Sequence, residues 1–494
     1  MASDRGKPKK RGATNGEFSL ALKAEEKVRS TWYILDTDGR LVGVDKFDFS
    51  KCQNLKKFAD YEIRKVRAYA KAPEHIRLMK RLNLVDYEPG SDAGNMRFYP
   101  NGRLIKSLLE KYVTDRVVGY GGMEVETPIM YDYQHPAFKD YLNRFPNRHY
   151  TVKSDNREFF LRFAACFGQF LIMHDMGMSY KQLPLKLYEL SRYSFRREQG
   201  GELVGIKRMR AFTMPDMHTV CTDLKQAEAE FYSQFDLCVS VMDGIGIKMD
   251  EYETAIRFTE EFWERDKGFI THIVTDRLKK PALIEMWSFR YAYFDPKFEF
   301  NVIDSADKAT SLSTVQVDHE NSERYKVTYV DEDGKRRNSI ILHCSPSGAI
   351  ERVIYALLEL AAIKINSGET ASFPLWLAST QVRLLSVSDK HVGRCMELAN
   401  GLVEIGIRAD VDDTNETLDK KVRNAELEWV PYVAVIGDKE ASTGELSVRR
   451  RDGKSQEKLS IERLIEEVTG KTAGMPKERS SLPMMLSKRP IFPG

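Results

Sequence analysis

The sequence predicts two folds in series: an α+β region built on antiparallel strands over roughly residues 75–370, then a doubly wound α/β unit of about 100 residues. Three observations carry that division. At 494 residues and 56.9 kDa the chain exceeds what one core sustains and suits about two to four domains. Up to residue 370, helical stripes are mixed with runs that read as antiparallel strands. Beyond Phe373-Pro374, strand and helix patterns alternate regularly.

Taken in order, residues 1–30 form a basic arm beginning MASDRGKPKKRG, which fits either a solvated tail or a nucleic-acid contact. A small N-terminal module (31–75) follows. Its 31–49 stretch reads as a hairpin, with apolar WYIL, a turn at Asp38-Gly39 and then LVGV, and a strongly basic helical run occupies 54–71. In the central region (76–370), Leu104, Ile105, Leu108, Leu109 and Tyr112 share one helical face. A second stripe of Leu224, Ala227, Phe231, Phe235, Cys238 and Met242 starts near Asp223 and is expected to stop at Gly244. Core packing accounts for both. Strands are expected at 158–163, 298–303 and 314–317, and in YKVTYV and SIILH joined across DEDG, where Asp333-Gly334 suits a type I′ turn. Gly348 opens an apolar helix. The C-terminal unit (374–472) has strands at 382–387, 407–411 and Tyr432–Ile436 and helices at 392–402 and 418–429. The tail (473–494) is rich in Pro, Ser and Met and has no period.

Composition excludes several classes. No stretch approaches the ~20 apolar residues needed to span a bilayer, and the basic, polar N-terminus carries no apolar core of a secretory signal, so neither is expected. Six scattered cysteines without a CxxC pair argue against a disulfide scaffold and for a reducing, cytoplasmic compartment. With 76 basic and 73 acidic residues, net charge alone points neither toward nor away from RNA.

The chemistry concentrates elsewhere. There is no Walker A loop, no GxGxxG after a strand and no HExxH. What stands out is residues 194–218, where arginines flank a Gly-rich loop and the far side ends in Phe212, Asp216 and His218. Two strands joined by such a loop can clamp a nucleotide, with Arg196 and Arg208 on phosphates and Phe212 on the adenine face; the same pattern also fits an exposed basic hairpin. On residues alone, Cys166 reads as core, His218 and His343 as hydrogen-bonded histidines, and Arg352 as a surface cation.

That stretch resembles motif 2 of the class II aminoacyl-tRNA synthetases, and specifically of the threonyl-tRNA synthetases. Gly122-Met-Glu-Val-Glu-Thr-Pro128 is similar to motif 1, Gly348-Ala-Ile-Glu-Arg352 to motif 3, and TVQVD, FPLWLA and VPYVAVIGDKE to flanking segments, in unbroken order over roughly residues 80–470. The resemblance implies a class II catalytic domain (76–370), an antiparallel sheet ringed by helices, and an α/β anticodon-binding domain (374–472). It also implies activation of threonine by ATP and transfer to the terminal adenosine of threonine tRNA.

Residue by residue, the resemblance implies that Arg196 meets the α-phosphate as a catalytic group and Glu198 orients the adenine side. Arg208 and the motif 3 Arg352 hold the γ-phosphate of a bent ATP carried with Mg2+. Cys166, His218 and His343 fall where the family holds one Zn2+ per subunit. Asp216 and Gln316 are implied to contact the amino acid, and Glu440 and Arg449 the anticodon. A homodimer is implied through motif 1. Only about 75 residues precede the catalytic region, so a shortened, archaeal-like form is expected, with mischarged serine cleared by a separate protein in trans. Competing readings are a synthetase for serine or another small amino acid and a non-catalytic RNA-binding paralogue; neither DNA nor a membrane is an expected partner. The chain departs from the family pattern at Met214, at Phe294 (with Tyr293 beside it) and in the SPSGAIER form of motif 3.

Overall fold

The computed structural model describes residues 28–65, 69, 71–138, 149–453 and 456–492; most of the expected arm, 1–27, lies outside them. Ten strands form the main sheet: β1 (Ser30–Leu35), β2 (Leu41–Gly43), β3 (Met123–Glu124), β4 (Leu185–Phe195), β5 (Ala211–Cys221), β6 (Glu253–Thr259), β7 (Ala282–Trp287), β8 (Phe294–Ile303), β9 (Ala309–Asp318) and β10 (Ile340–Ser345). Their spatial order is β2-β1-β7-β6-β8-β9-β10-β5-β4-β3. The run from β6 through β4 is antiparallel, as expected, but β6–β7 and β4–β3 are parallel, so the sheet is mixed at its flanks. The cause at the first flank is the helix Glu260–His272, which returns the chain in the same direction between β6 and β7. The hairpin expected at 31–49 forms, with Gly39 at φ +82°, but does not stand apart: β1 pairs along its whole length with β7.

Strand alternation divides the sheet into two chemically different faces. Met217, Phe298, Val315, Val317, Leu342 and Cys344 point into one apolar core with three helices, α1 (Pro100–Gly119), α2 (Leu224–Ile245) and α3 (Ile350–Asn366). Both stripes read from sequence belong to these helices, though Leu224 is exposed. The end of α2 differs from expectation. Gly246, at φ +96°, closes the helix, while Gly244 lies within it and is glycine for packing: a Cβ there would stand 1.9 Å from Tyr112 Oη. The 331–335 turn is likewise not type I′: only Gly334 has positive φ, and Gly334 N donates to Asp331 O at 3.0 Å, a type I turn closed by a left-handed glycine. Its hairpin joins Thr328–Val330 to Arg336–Asn338, leaving β10 free for the main sheet.

The C-terminal unit has five strands, in the order Ala409–Asp412, Val382–Ser386, Tyr432–Ile436, Leu446–Arg450, Gln456–Leu459; the first three are parallel and the last two antiparallel. Inside it the fully buried Arg383 meets Asp410 through two bonds of 2.8 and 2.9 Å. The aperiodic tail is anchored by several contacts, among them Val411 N donating to Met484 O at 2.9 Å, Ser487 N donating to Asp413 Oδ1 at 2.9 Å and Arg489 pairing with Asp410 at 2.9 Å. Trp376 ties the two units together by donating to Gly244 O at 3.0 Å.

One helix offers a controlled test of this packing. A Cβ on Gly102 would lie 2.0 Å from the Leu84 carbonyl oxygen, whereas nothing lies within 4 Å of one on Gly119. Gly102→Ala is expected to destabilise the protein by about 1–3 kcal/mol in urea unfolding, and Gly119→Ala, at the other end of α1, to be neutral or stabilising by up to ~1 kcal/mol.

Candidate functional site

The face opposite the core carries the polar residues in register. From β7 to β5, Glu285, Arg257, Lys297, Gln316, His343 and His218 stand opposite one another as successive cross-strand partners. Such partners share a face, so six strands place one line of polar side chains on a single surface. Alternation along β5 sets Phe212, Met214 and Asp216 on the same side as His218, with Thr213, Pro215 and Met217 buried beneath.

At one end of that line the ligand atoms of Cys166, His218 and His343 all lie within 4.8 Å of one another. Cys166 is the first residue of the helix Cys166–Asp175, which docks across the two histidine strands. His218 Nε2 stands 3.3 Å from Cys166 Sγ and 3.1 Å from His343 Nδ1. The outer nitrogens are spoken for: His218 Nδ1 meets Gln169 Oε1 at 2.8 Å, and His343 Nε2 meets Asp318 Oδ2 at 2.6 Å. Asp318 is itself held by Asn321 N at 2.8 Å and Asn321 Nδ2 at 2.6 Å. Those acceptors fix both tautomers with the inner nitrogens as free bases, the arrangement that metal-binding histidines adopt. Burial, with the charge of His343, holds His218 well below the usual imidazole range, and burial beside Asp216 and Asp318 pushes the Cys166 thiol well up. Two imidazoles whose inner nitrogens converge on the sulfur of a buried thiol fit a zinc site of the three-ligand kind, with coordination left for a substrate.

Next to the cluster lie Gln316 and Asp216, the two residues expected to contact the amino acid. Gln316 follows His343 in the line, and its Oε1 accepts from Tyr293 Oη at 2.6 Å. Tyr293 also sets its ring 5.1 Å from that of His343, so it, rather than Phe294, faces the cysteine–histidine cluster. Phe294 lines the neighbouring cavity instead. Asp216 stands opposite Glu189; burial, reinforced by that second carboxylate, pushes Asp216 up to about 7. Arg162 balances the pair, donating to Glu189 Oε1 at 2.5 Å and to Thr127 Oγ1 at 2.9 Å, and so ties the Thr127-Pro128 stretch to the site.

At the other end a cavity of about 400 Å³ brings Arg196, Glu198, Arg208 and Arg352 together. Arg208 donates to Glu198 Oε2 at 3.1 Å and pairs with Glu202 at 3.4 Å. Burial and the nearby charges of Arg196 and Arg208 lower Arg352 to about 10, so three guanidinium groups converge on one polar space. Phe212 is not part of the lining; it lies with its ring centroid 6.0 Å from the Arg196 guanidinium carbon. The sequence reading missed much of the rest. Lys297, Glu299 and Asn301 line the cavity, and their strict alternation within PKFEFNV was the available signal. Burial opposes charge on Glu299, but Lys297 and Arg257 outweigh it and hold its carboxyl at about 2. Tyr61 and Glu62 enter from the helix Gln53–Arg64, with Glu62 paired to Arg257 at 2.8 Å. No local pattern announces that pair.

Glu440 and Arg449 lie in the C-terminal unit, away from this face. Arg449 stands level with Val433 and pairs with Glu426 at 2.8 Å; Glu440 sits in the short helix leaving the far end of Tyr432–Ile436, accepting from Gly437 N at 3.1 Å. The adjoining basic run is not a free solvated end. Arg450 pairs with Glu457 and Glu467 at 2.7 Å each, and Arg451 donates to Ala371 O at 2.8 Å.

Comparison with known proteins agrees with this geometry. Residues 150–361 match the family profile described as "tRNA synthetase class II core domain (G, H, P, S and T)", and residues 381–471 match "Anticodon binding domain". The chain is 56% identical over 484 residues to the threonine–tRNA ligase of Thermococcus gammatolerans, covering 98% of this chain and 77% of that protein. It is also 56% identical over 479 residues to the threonine–tRNA ligase of Pyrococcus furiosus, at 97% and 76% coverage. The fold superimposes on the crystal structure of the RNA-binding domain of threonyl-tRNA synthetase from Cryptosporidium parvum with a TM-score of 0.71 at 22% identity, over 83% of this chain and 99% of that one. With a class II core, an anticodon-binding domain and more than half its residues shared with these ligases over nearly its whole length, the chain belongs to the threonine–tRNA ligase family.

Proposed function

We propose a division of labour along the polar line of the sheet: threonine is held at the Cys166–His218–His343 end and ATP in the arginine cavity, so that carboxylate and α-phosphate meet near Arg196. The observation that carries this reading is the convergence of three metal-ligand atoms within 4.8 Å, one strand from Gln316 and two from cavity residue Lys297. Bound at the trio, zinc supplies a Lewis-acidic centre with open positions for an amino group and a hydroxyl. Asp216 accepts from the substrate amine, and the Gln316–Tyr293 pair closes the pocket over the side chain. A site that demands a hydroxyl rejects valine, which an apolar pocket of the same shape would admit.

In the first step the threonine carboxylate oxygen attacks the α-phosphorus and the bond to pyrophosphate breaks. Arg196 stabilises charge on the α-phosphoryl oxygens, while Arg208 and Arg352 hold the tail of a Mg2+-bearing ATP and Glu198 fixes the adenine end. In the second step a ribose hydroxyl of the terminal adenosine attacks the carbonyl and AMP leaves. Serine keeps the hydroxyl and loses one methyl, a difference worth only about 1–3 kcal/mol, so the pocket alone rejects it weakly; we assign the clearance of mischarged serine to a separate hydrolytic protein acting in trans. Val118, Met123, Ile129 and Met130 are apolar and exposed around the outermost strand β3, which supports a homodimer through that edge. Six free cysteines support work in the reducing cytoplasm.

Removing the α-phosphate contact tests the reading: Arg196→Ala is expected to lower kcat for threonine-dependent ATP–pyrophosphate exchange by about 10²–10³. Cys166→Ala and His343→Ala should each release the zinc of the subunit, measured by elemental analysis, and abolish threonine activation; full zinc occupancy in both variants would contradict the site. Arg449→Ala should weaken tRNA charging while leaving amino-acid activation unchanged, since splayed loop bases are read by side chains far from the sheet face.

A further inference from the structure

One reversal of the chain at the arginine cavity is held in part by two residues, Tyr69 and His75, that precede the class II core match beginning at residue 150. Residues 204–208 turn tightly: Lys207 N and Arg208 N donate to Val204 O at 3.0 and 3.2 Å, and Val204 N returns a bond to Arg208 O at 3.2 Å. Arg208 leaves this turn into the cavity, and Arg352 donates its Nε to Lys207 O at 3.1 Å. The turn therefore sets two of the four arginines that line the cavity, one through the chain and one through a hydrogen bond.

Gly205 and Lys207 of the turn meet a further set of partners, although Lys207 also lines the cavity. Lys207 Nζ pairs with Asp304 Oδ2 at 3.1 Å and bonds to Tyr69 Oη. It also lies over the rings of Tyr69 and Tyr355, 4.9 and 5.4 Å from their centroids. Asp304 accepts in turn from Tyr69 and, at 2.9 Å, from Tyr355 Oη. Gly205, at φ +45°, presses on His75, whose Nε2 would be 2.4 Å from any Cβ placed there. His75 is pinned to Glu359 through its backbone N at 2.8 Å and its Nδ1 at 2.7 Å. Tyr355 and Glu359 belong to α3, the helix that carries Arg352. So Tyr69 and His75 clamp the turn onto the helix at two points. Burial pulls Lys207 down to about 8 despite the pull of Asp304, and a buried cation of that kind is sustained only by its counter-charge. Its ammonium is committed to Asp304, which makes it a poor candidate for a phosphate ligand and a good brace.

We propose that Lys207, clasped by Asp304, Tyr69 and Tyr355, is a positioning residue of the ATP site: it locks the 204–208 turn onto α3 so that Arg208 and Arg352 converge before ATP arrives. The proposal rests on the reading of the cavity as the ATP site. Loss of such preorganisation weakens binding of the ligand it serves and spares the other substrate.

The test is ATP–pyrophosphate exchange on the zinc-loaded full chain, with ATP and threonine varied separately. The double variant Lys207→Met with Asp304→Asn removes both buried charges and leaves neither unpaired. Its KM for ATP should rise about tenfold while KM for threonine stays within about twofold. Tyr69→Phe, which drops one hydroxyl and keeps the ring, should raise KM for ATP about threefold, and it decides the matter if the double variant does not fold. An unchanged KM for ATP, or an equal rise for ATP and threonine, would overturn the proposal. Arg196→Ala separates the two claims. If it is defective while the brace variants are normal, the ATP cavity stands and Lys207 has no such role; if ATP kinetics survive Arg196→Ala, the cavity itself is misread.

Discussion

The register of the central antiparallel strands is the constraint on which everything else in this protein depends. Because side chains alternate with a period of two, a slip of one residue between β5 and β10 would carry His218 or His343 to the apolar face and put Met217 or Leu342 on the polar one. The penalty for that slip is set by the core, where Met217, Val315, Leu342 and Cys344 pack against α1, α2 and α3. Packing on one face thus fixes the chemistry on the other. The outer-nitrogen partners refine what the register begins: Gln169 and Asp318 come from two different elements and aim the two imidazoles at one point.

Electrostatics along the polar line follow the same logic of compensation. The cavity concentrates Arg196, Arg208 and Arg352, and the cationic field is tempered by Glu198 and Glu202 on one side and by the Arg257–Glu62–Glu285–Lys297–Glu299 network on the other. Buried charges of this kind are costly singly and tolerable as satisfied sets. The cluster at the opposite end is the converse case: without a cation its histidine is deprotonated and its thiol protonated by burial, a set of groups poised for a metal rather than for one another.

Much of this was legible in the sequence, and for identifiable reasons. The stripes of α1 and α2 and the strand–helix rhythm after Phe373-Pro374 are local periodicities, and local periodicity survives without tertiary knowledge. The trio Cys166, His218 and His343 carries no spacing rule, since it assembles from a helix and two strands far apart in the chain; only the resemblance of the whole series of motifs placed it. What escaped were pairings made at long range. Gly244 has the look of a helix stop and is instead the floor for Tyr112, and the N-terminal hairpin looked self-contained because its β7 partner lies some 250 residues away in the chain, as Tyr33 opposite Ile284 shows. Glu62 and Tyr69 reach the site only because that hairpin is part of the sheet, so their roles were invisible in a stretch that reads simply as basic and helical.

The central claim is that hydroxyl recognition at the cysteine–histidine cluster, rather than pocket shape, selects the amino acid. The most direct measurement is kcat/KM for ATP–pyrophosphate exchange with threonine, valine and serine on the zinc-loaded protein. The account predicts valine at least ~10⁴-fold below threonine, because it would leave a hydroxyl-demanding site unsatisfied, and serine only about 10–200-fold below, because it lacks a single methyl. Valine activated as well as serine would contradict it.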